Sequence, residues 1–246
     1  MALESGTERP AFYALAPGGW RDVVTLLHPP YTVWHLSYVV LGAAVAPSVH
    51  VDRLLAAVGA FALAVGVSAH ALDELHGRPL RTRISHRVLI VLAVLGLAGA
   101  VGIGLAGAAI VSPTLLPFVV AGAFLAVAYS LELFAGRFHG DVWFAIGWGA
   151  FPAFTGYWVN ALSVRPAGVL VAAACLALSV AQRRLSTPVR ELRRRTVAVA
   201  GQQRLSDGSV VDLSAARLVA PLDGALRALS LAVPLVAGAV LAVRLG

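Results

Sequence analysis

The sequence contains no lysine and a single cysteine, Cys175. One cysteine excludes an intramolecular disulfide framework and a cysteine-based zinc cluster. Every one of the 19 basic residues is therefore arginine, a bias that a GC-rich coding sequence is enough to explain. Charge of either sign is scarce: 13% of the 246 residues are charged, against 59% hydrophobic. Soluble domains run nearer 45–50% apolar and about 25% charged. The excess apolar surface must face lipid or the inside of a helix bundle. The opening stretch MALESGTERPAFYALAPGGW lacks an apolar h-region, so no cleavable signal peptide is expected.

What is present in quantity is long apolar runs. About 20 residues of helix cross a hydrocarbon core. Runs of suitable length fall at about 31–48, 52–71, 87–111, 114–134, 142–162, 166–182 and 225–243. Pro29-Pro30, Pro113, Pro166 and Pro221 precede four of them, where an absent N–H costs little. The expected fold is an all-α integral membrane bundle of about seven spans. Arginine sets its orientation. With the N-terminus inside, Arg9, Arg21, Arg78, Arg81, Arg83, Arg87, Arg137 and the run from Arg183 to Arg227 are inside. Arg53, Arg165 and Arg244 are outside. That bias predicts N-in and C-out, in the cell membrane.

The chain divides into a cytoplasmic segment 1–30, a six-helix core 31–182, a basic cytoplasmic loop 183–224 and a final span in 225–246. The net charge of +7 is read as attraction of that loop to anionic headgroups, not as nucleic-acid binding. Asp207-Gly208 between two strand-like runs predicts a small cytoplasmic β-hairpin near 196–213.

Two stretches concentrate groups able to do chemistry. The second span ends GVSAHALDELHGRPLRTRISHR. Helical spacing puts His70, Asp73 and Glu74 on one face, with His76 close behind. Intramembrane ionisable groups face a bundle interior or an aqueous cavity, and two imidazoles with two carboxylates suit a divalent metal. Pairing with Arg78, Arg81 and Arg83 is the plainer reading. The second stretch is YSLELFAGRFHGDVWFAIGWGAFPAFTGYW. It offers Tyr129, Glu132, His139 and Asp141, the last equally suited to capping a helix. Trp143 and Trp148 could wall an apolar chain or face a carbocation; interfacial belting is the commoner role. His28 and His35, seven apart, share a face of the first span and could point into the same cavity.

These stretches, with HPPYTVWHLSYVVLGAAVAP at the first span, resemble the UbiA superfamily of intramembrane prenyltransferases. HALDELHGRPLRTRIS resembles that family's first aspartate-rich motif, and the Gly140-Asp141 pair with the Gly/Pro-rich helix after it resembles its helix five. The resemblance implies prenyl transfer from a prenyl diphosphate to a lipid or aromatic acceptor at the cytoplasmic leaflet. It implies Mg²⁺ as the divalent metal, held by Asp73 and Asp141. Asp73, Asp141 and Tyr129 would be catalytic. Arg78, Arg81, Arg83, Trp143 and Trp148 would bind substrate. The metal set would be His70, Asp73, Glu74, His76, His139 and Asp141. This sequence departs from the pattern in five ways. The position of the first motif's last aspartate falls near Gly77, and the Lys usual after the helix-four Tyr is absent. Ala69-His70 stands where the family has Asn-Asp. RRLSTPVRELRRR, with only Glu191, stands where a second aspartate-rich motif belongs. The span count is about two short of the usual nine. The added histidines suit a transition metal, which leaves a lipid hydrolase or oxidase open on the same fold. A non-catalytic lipid-binding or assembly protein is the third reading.

Overall fold

A computed structural model describes residues 9–246. The part of the expected cytoplasmic segment over 1–8 lies outside the described residues. The described chain is mostly helical. α1 is Trp20–Leu26. α2 is Pro29–Ala44, with Pro29 and Pro30 in its first turn. α3 is Val51–Leu75, α4 His86–Ile110 and α5 Pro113–Ser130. α6 covers 141–161, α7 is Pro166–Arg194, and α8 is Ala215–Leu245. Side-chain oxygens of Ser85 and Ser214 accept from the third residue onward, Val88 and Arg217, and so start α4 and α8.

Five helices, α3, α4, α5, α7 and α8, are long and apolar enough to cross a membrane. Their outer faces carry large apolar side chains in the open, such as Ile90, Leu95 and Leu105 on α4 and Leu231 and Leu235 on α8. In water such faces would be exposed patches; in a bilayer they are solvated by lipid tails.

α2 and α6 occupy the interior of the bundle. They approach so closely that Gly42 lies against the Ala153 carbonyl and Gly156 against the Val39 carbonyl, with no room for a Cβ at either glycine. Small residues at such a crossing let dispersion attraction build along the backbone, a main source of helix association in lipid. Trp34, Tyr38, Ala153, Cys175 and Val233 complete the core from α2, α6, α7 and α8.

Two boundaries around the last loop differ from the sequence expectation. α7 does not stop at 182 but runs through Arg194. The arginines end the hydropathy signal, yet Gln, Arg, Leu and Glu are good helix formers. α8 begins at Ala215, about a turn and a half before Pro221 and well before 225. The loop 183–224 therefore shrinks to 195–214. Within it β1 (Gln202–Arg204) and β2 (Val210–Asp212) pair antiparallel, Gln203 opposite Val211, in the two-stranded hairpin expected there. Gly208 turns the chain with a φ of 86°, a conformation open to glycine at no steric cost.

α3 and α6 each contain a π-helical stretch, Ala62–Ala69 and Ile146–Ala150. Wider i→i+5 turns are common at functional sites. Here they bracket the site described next.

Candidate functional site: a polar cavity joined to an apolar groove

The chain segments 70–80, 129–139 and 182–194 converge at one end of the bundle, with Pro10–Tyr13 beside them. They enclose a polar cavity of about 330 Å³. That is the lower end of small-ligand sites.

One wall is made of histidines whose tautomers are fixed. A carbonyl only accepts, so each ring nitrogen facing one carries the proton. Nδ1–H of His35 donates to the Trp148 carbonyl at 2.8 Å. That of His70 donates to the Gly66 carbonyl at 3.1 Å. That of His139 donates to the Tyr129 carbonyl at 2.9 Å. Gly66 and Trp148 both lie in the π-helical stretches, whose widened turns set carbonyls free for side chains. The Nε2 lone pairs are left for other partners. His139 Nε2 and His76 Nε2 lie 3.8 and 4.0 Å from the same Glu132 oxygen. Glu132 is held at a φ of 50°, and strained backbone of this kind gathers at functional sites. Asp73, half-buried, is within electrostatic range of His139, His76 and Glu132. The His28 ring packs edge-on to His70 at 4.0 Å. Burial, and next the His70 imidazole, keeps His28 well below its ordinary pKa range.

The expected site residues divide. His70, Asp73, Glu74, His76, Tyr129, Glu132, His139 and Trp148 all line the cavity, as do His28 and His35. Arg78, Arg81, Arg83, Asp141 and Trp143 do not. Arg78 commits its guanidinium to the Thr82 and Ile84 carbonyls, at 3.0 and 2.7 Å, and so staples the loop. Arg81 and Arg83 are exposed. Asp141 sits outside the cavity, 71% exposed, in an ion pair with Arg183 at 2.7 Å. Trp143 packs on Phe138 instead.

Glu74 is inside but already engaged. It is fully buried. Its two oxygens accept from the Leu80 and Thr82 amides and the Thr82 hydroxyl at 2.8–3.0 Å. A carboxylate saturated in this way organises a loop. With Glu74 occupied and Asp141 paired outside, the donors that the family resemblance would give to Mg²⁺ do not assemble. Among the described residues no three His, Cys, Asp or Glu side chains are grouped to hold a metal ion. The six residues expected to hold a divalent ion are therefore not gathered around one point.

A second part of the lining was not anticipated. It consists of Arg183, Arg190 and Arg194 of α7, with Tyr13 and Tyr31. Their spacing of seven and four places all three arginines on one helical stripe. That signal was in the sequence, but it is legible only once 183–194 is read as helix.

An apolar groove lies between α3, α4, α5 and α6, lined by Phe61, Phe118, Gly122 and Phe151 among others. It runs from Arg53 to Val65, about 18 Å at 1.5 Å per residue. Trp148 lines both the groove and the polar cavity. Tyr129 and Phe144 stand beside it, with ring centroids 4.3 and 5.8 Å away.

No family model, curated protein or solved structure matches the chain.

Proposed function

We propose that this chain is a UbiA-like enzyme of the cell membrane, with seven spans, N-in and C-out, that transfers a prenyl group from a prenyl diphosphate to a lipid or aromatic acceptor. The observation that carries the reading is the junction at Trp148, where a polar cavity and an apolar groove share one wall. An amphiphile with a charged head and an isoprenoid chain matches both parts at once. α2 and α6 count as spans in this reading because they pack inside the five apolar helices.

The chemistry is assigned to side chains alone. The allylic C–O bond breaks and its electron pair leaves with the diphosphate, which the arginines of α7 neutralise. The faces of Tyr129, Phe144 and Trp148 stabilise the allylic cation. The acceptor forms the new bond to that carbon. Its proton passes to His139 Nε2, and the Glu132 carboxylate stabilises the imidazolium that results.

The test is turnover. Protein reconstituted in liposomes should convert at least one labelled prenyl diphosphate when offered donors of several chain lengths with lipid and aromatic acceptors. Binding without turnover would favour a lipid-binding protein. Neither binding nor turnover would end the proposal.

A further inference from the structure

We infer that Arg183, Arg190 and Arg194 form a phosphate site that works without a divalent cation. The inference rests on the reading of the cavity as the head-group chamber of a lipid diphosphate, and it names what grips the head group.

Three observations carry it. First, α7 sorts its arginines. Arg184 and Arg195 are exposed, and Arg193 pairs with Asp223, whereas Arg183, Arg190 and Arg194 are half-buried in the cavity wall. Second, two of the three, Arg190 and Arg194, have no ion-pair partner within 4.0 Å among the described residues. Arg183 meets Asp141 through Nε only. Like charges one turn apart, as at 190 and 194, repel. Half-buried cations without counter-ions call for an anion.

Third, donors remain. A guanidinium has five N–H groups. Arg194 uses Nε on the Pro10 carbonyl, and Arg190 one terminal nitrogen on Thr187. Two sets of terminal N–H groups, on Arg183 and Arg194, are left in the fork geometry that suits phosphate oxygens. Tyr13 completes the wall. Burial pushes its hydroxyl above the ordinary tyrosine range, so it stays protonated and can donate.

Four carboxylates line the cavity, and each has other partners. Asp223 pairs with Arg193, and Asp73 lies near His139 and His76. Glu74, though within electrostatic range of Arg194, is bonded to its own loop, and Glu132 faces the histidines. Cationic side chains thus stand where the resemblance called for metal-binding aspartates.

The experiment measures binding by full-length protein in nanodiscs of zwitterionic lipid, with Mg²⁺ or with EDTA. The probes are inorganic diphosphate, a farnesyl-length prenyl diphosphate, the matching prenyl alcohol, and phosphatidic acid added to the disc. EDTA should change the affinity for the prenyl diphosphate by less than about twofold. Arg190→Gln should weaken it about tenfold, the loss of one charge-assisted hydrogen bond. Arg190→Lys should restore part of it. Affinity for the alcohol should be unmoved in the same variants, which also shows that they fold. Competition by phosphatidic acid with the same Arg190 dependence would support the site and assign its phosphate to a bilayer lipid. Loss of binding in EDTA, with Arg190→Gln harmless, would overturn the inference and leave the lipid reading intact. If inorganic diphosphate binds through Arg190 while neither prenyl probe gains from its chain, the lipid reading falls and the arginine site stands.

Discussion

Oε1 of Glu74 accepts both the amide and the hydroxyl of Thr82, at 2.8 and 2.9 Å. One carboxylate therefore fixes the return of the chain from the end of α3 toward α4. Arg78 closes the same loop from outside through the carbonyls of Thr82 and Ile84. The motif that the resemblance reads as catalytic uses two of its charges to hold itself in shape.

Glu74→Ala should accordingly act on stability. It strands the buried Leu80 and Thr82 amides, each worth about 1–3 kcal/mol when unsatisfied. Thermal unfolding in detergent should drop by several degrees, with Glu74→Gln intermediate. A Glu74→Ala protein of unchanged stability that had lost a bound metal would contradict this role.

The Arg193–Asp223 pair joins α7 to α8 at 2.6 Å, with side chains only 6% and 10% exposed. Removing one partner of such a pair typically costs about 3–5 kcal/mol. Asp223→Ala should loosen α8 and expose it to protease. The double variant Arg193→Met/Asp223→Leu should recover much of the loss. A double variant as labile as Asp223→Ala would argue against charge burial as the cause.

The hairpin offers a pH test. The Ser209 hydroxyl, and then the Ser209 amide, donate to Asp207 and lower its pKa. A carboxylate with a lowered folded pKa favours the folded turn above the unfolded value, about 3.9. That preference is lost as pH falls through the folded value. The Ser209 amide resonance should titrate below the ordinary Asp range, and Ser209→Ala should move the midpoint back up. An unshifted midpoint in the parent protein would remove the bonds from the turn.

Much of the fold is legible because lipid enforces it. Each apolar run falls mostly on helix in the structure, and five of these helices are long and apolar enough to cross a membrane, where unpaired backbone groups are too costly. Asp207-Gly208 foretold the hairpin for a similarly local reason. The ends were harder. At Arg183 the hydropathy stops while the helix continues, so the hydropathy signal and the helix propensity of the following residues point to different ends. The site shows the same split. His70, His76, His139 and Tyr129 could be placed together by shared position at helix ends. That Glu74 turns to its own loop depends on the path of residues 76–82, which no spacing rule reports. The Arg183, Arg190 and Arg194 stripe stays hidden as long as the helix is taken to end with its hydropathy.

Trp148 is where the proposed function is most exposed to failure. Its indole is almost fully buried and forms the common wall of cavity and groove. Its carbonyl holds His35, but a side-chain substitution leaves that bond available. Trp148→Ala removes a large apolar partition without touching an arginine. The head-group chamber and the chain groove should merge, so the allylic carbon loses its register against the aromatic faces. Removing stabilisation that is felt only in the transition state lowers kcat, whereas the grip on the phosphates sets the affinity for the head group. Trp148→Ala should therefore lower kcat by about tenfold or more, the scale of one cation–π interaction in a dry site. The affinity for inorganic diphosphate should stay within about twofold. Preference among donors should move toward longer or bulkier chains. Trp148→Phe should keep the partition and most of the rate. A Trp148→Ala enzyme with unchanged kcat and unchanged chain preference would show that the two spaces do not act together on one substrate.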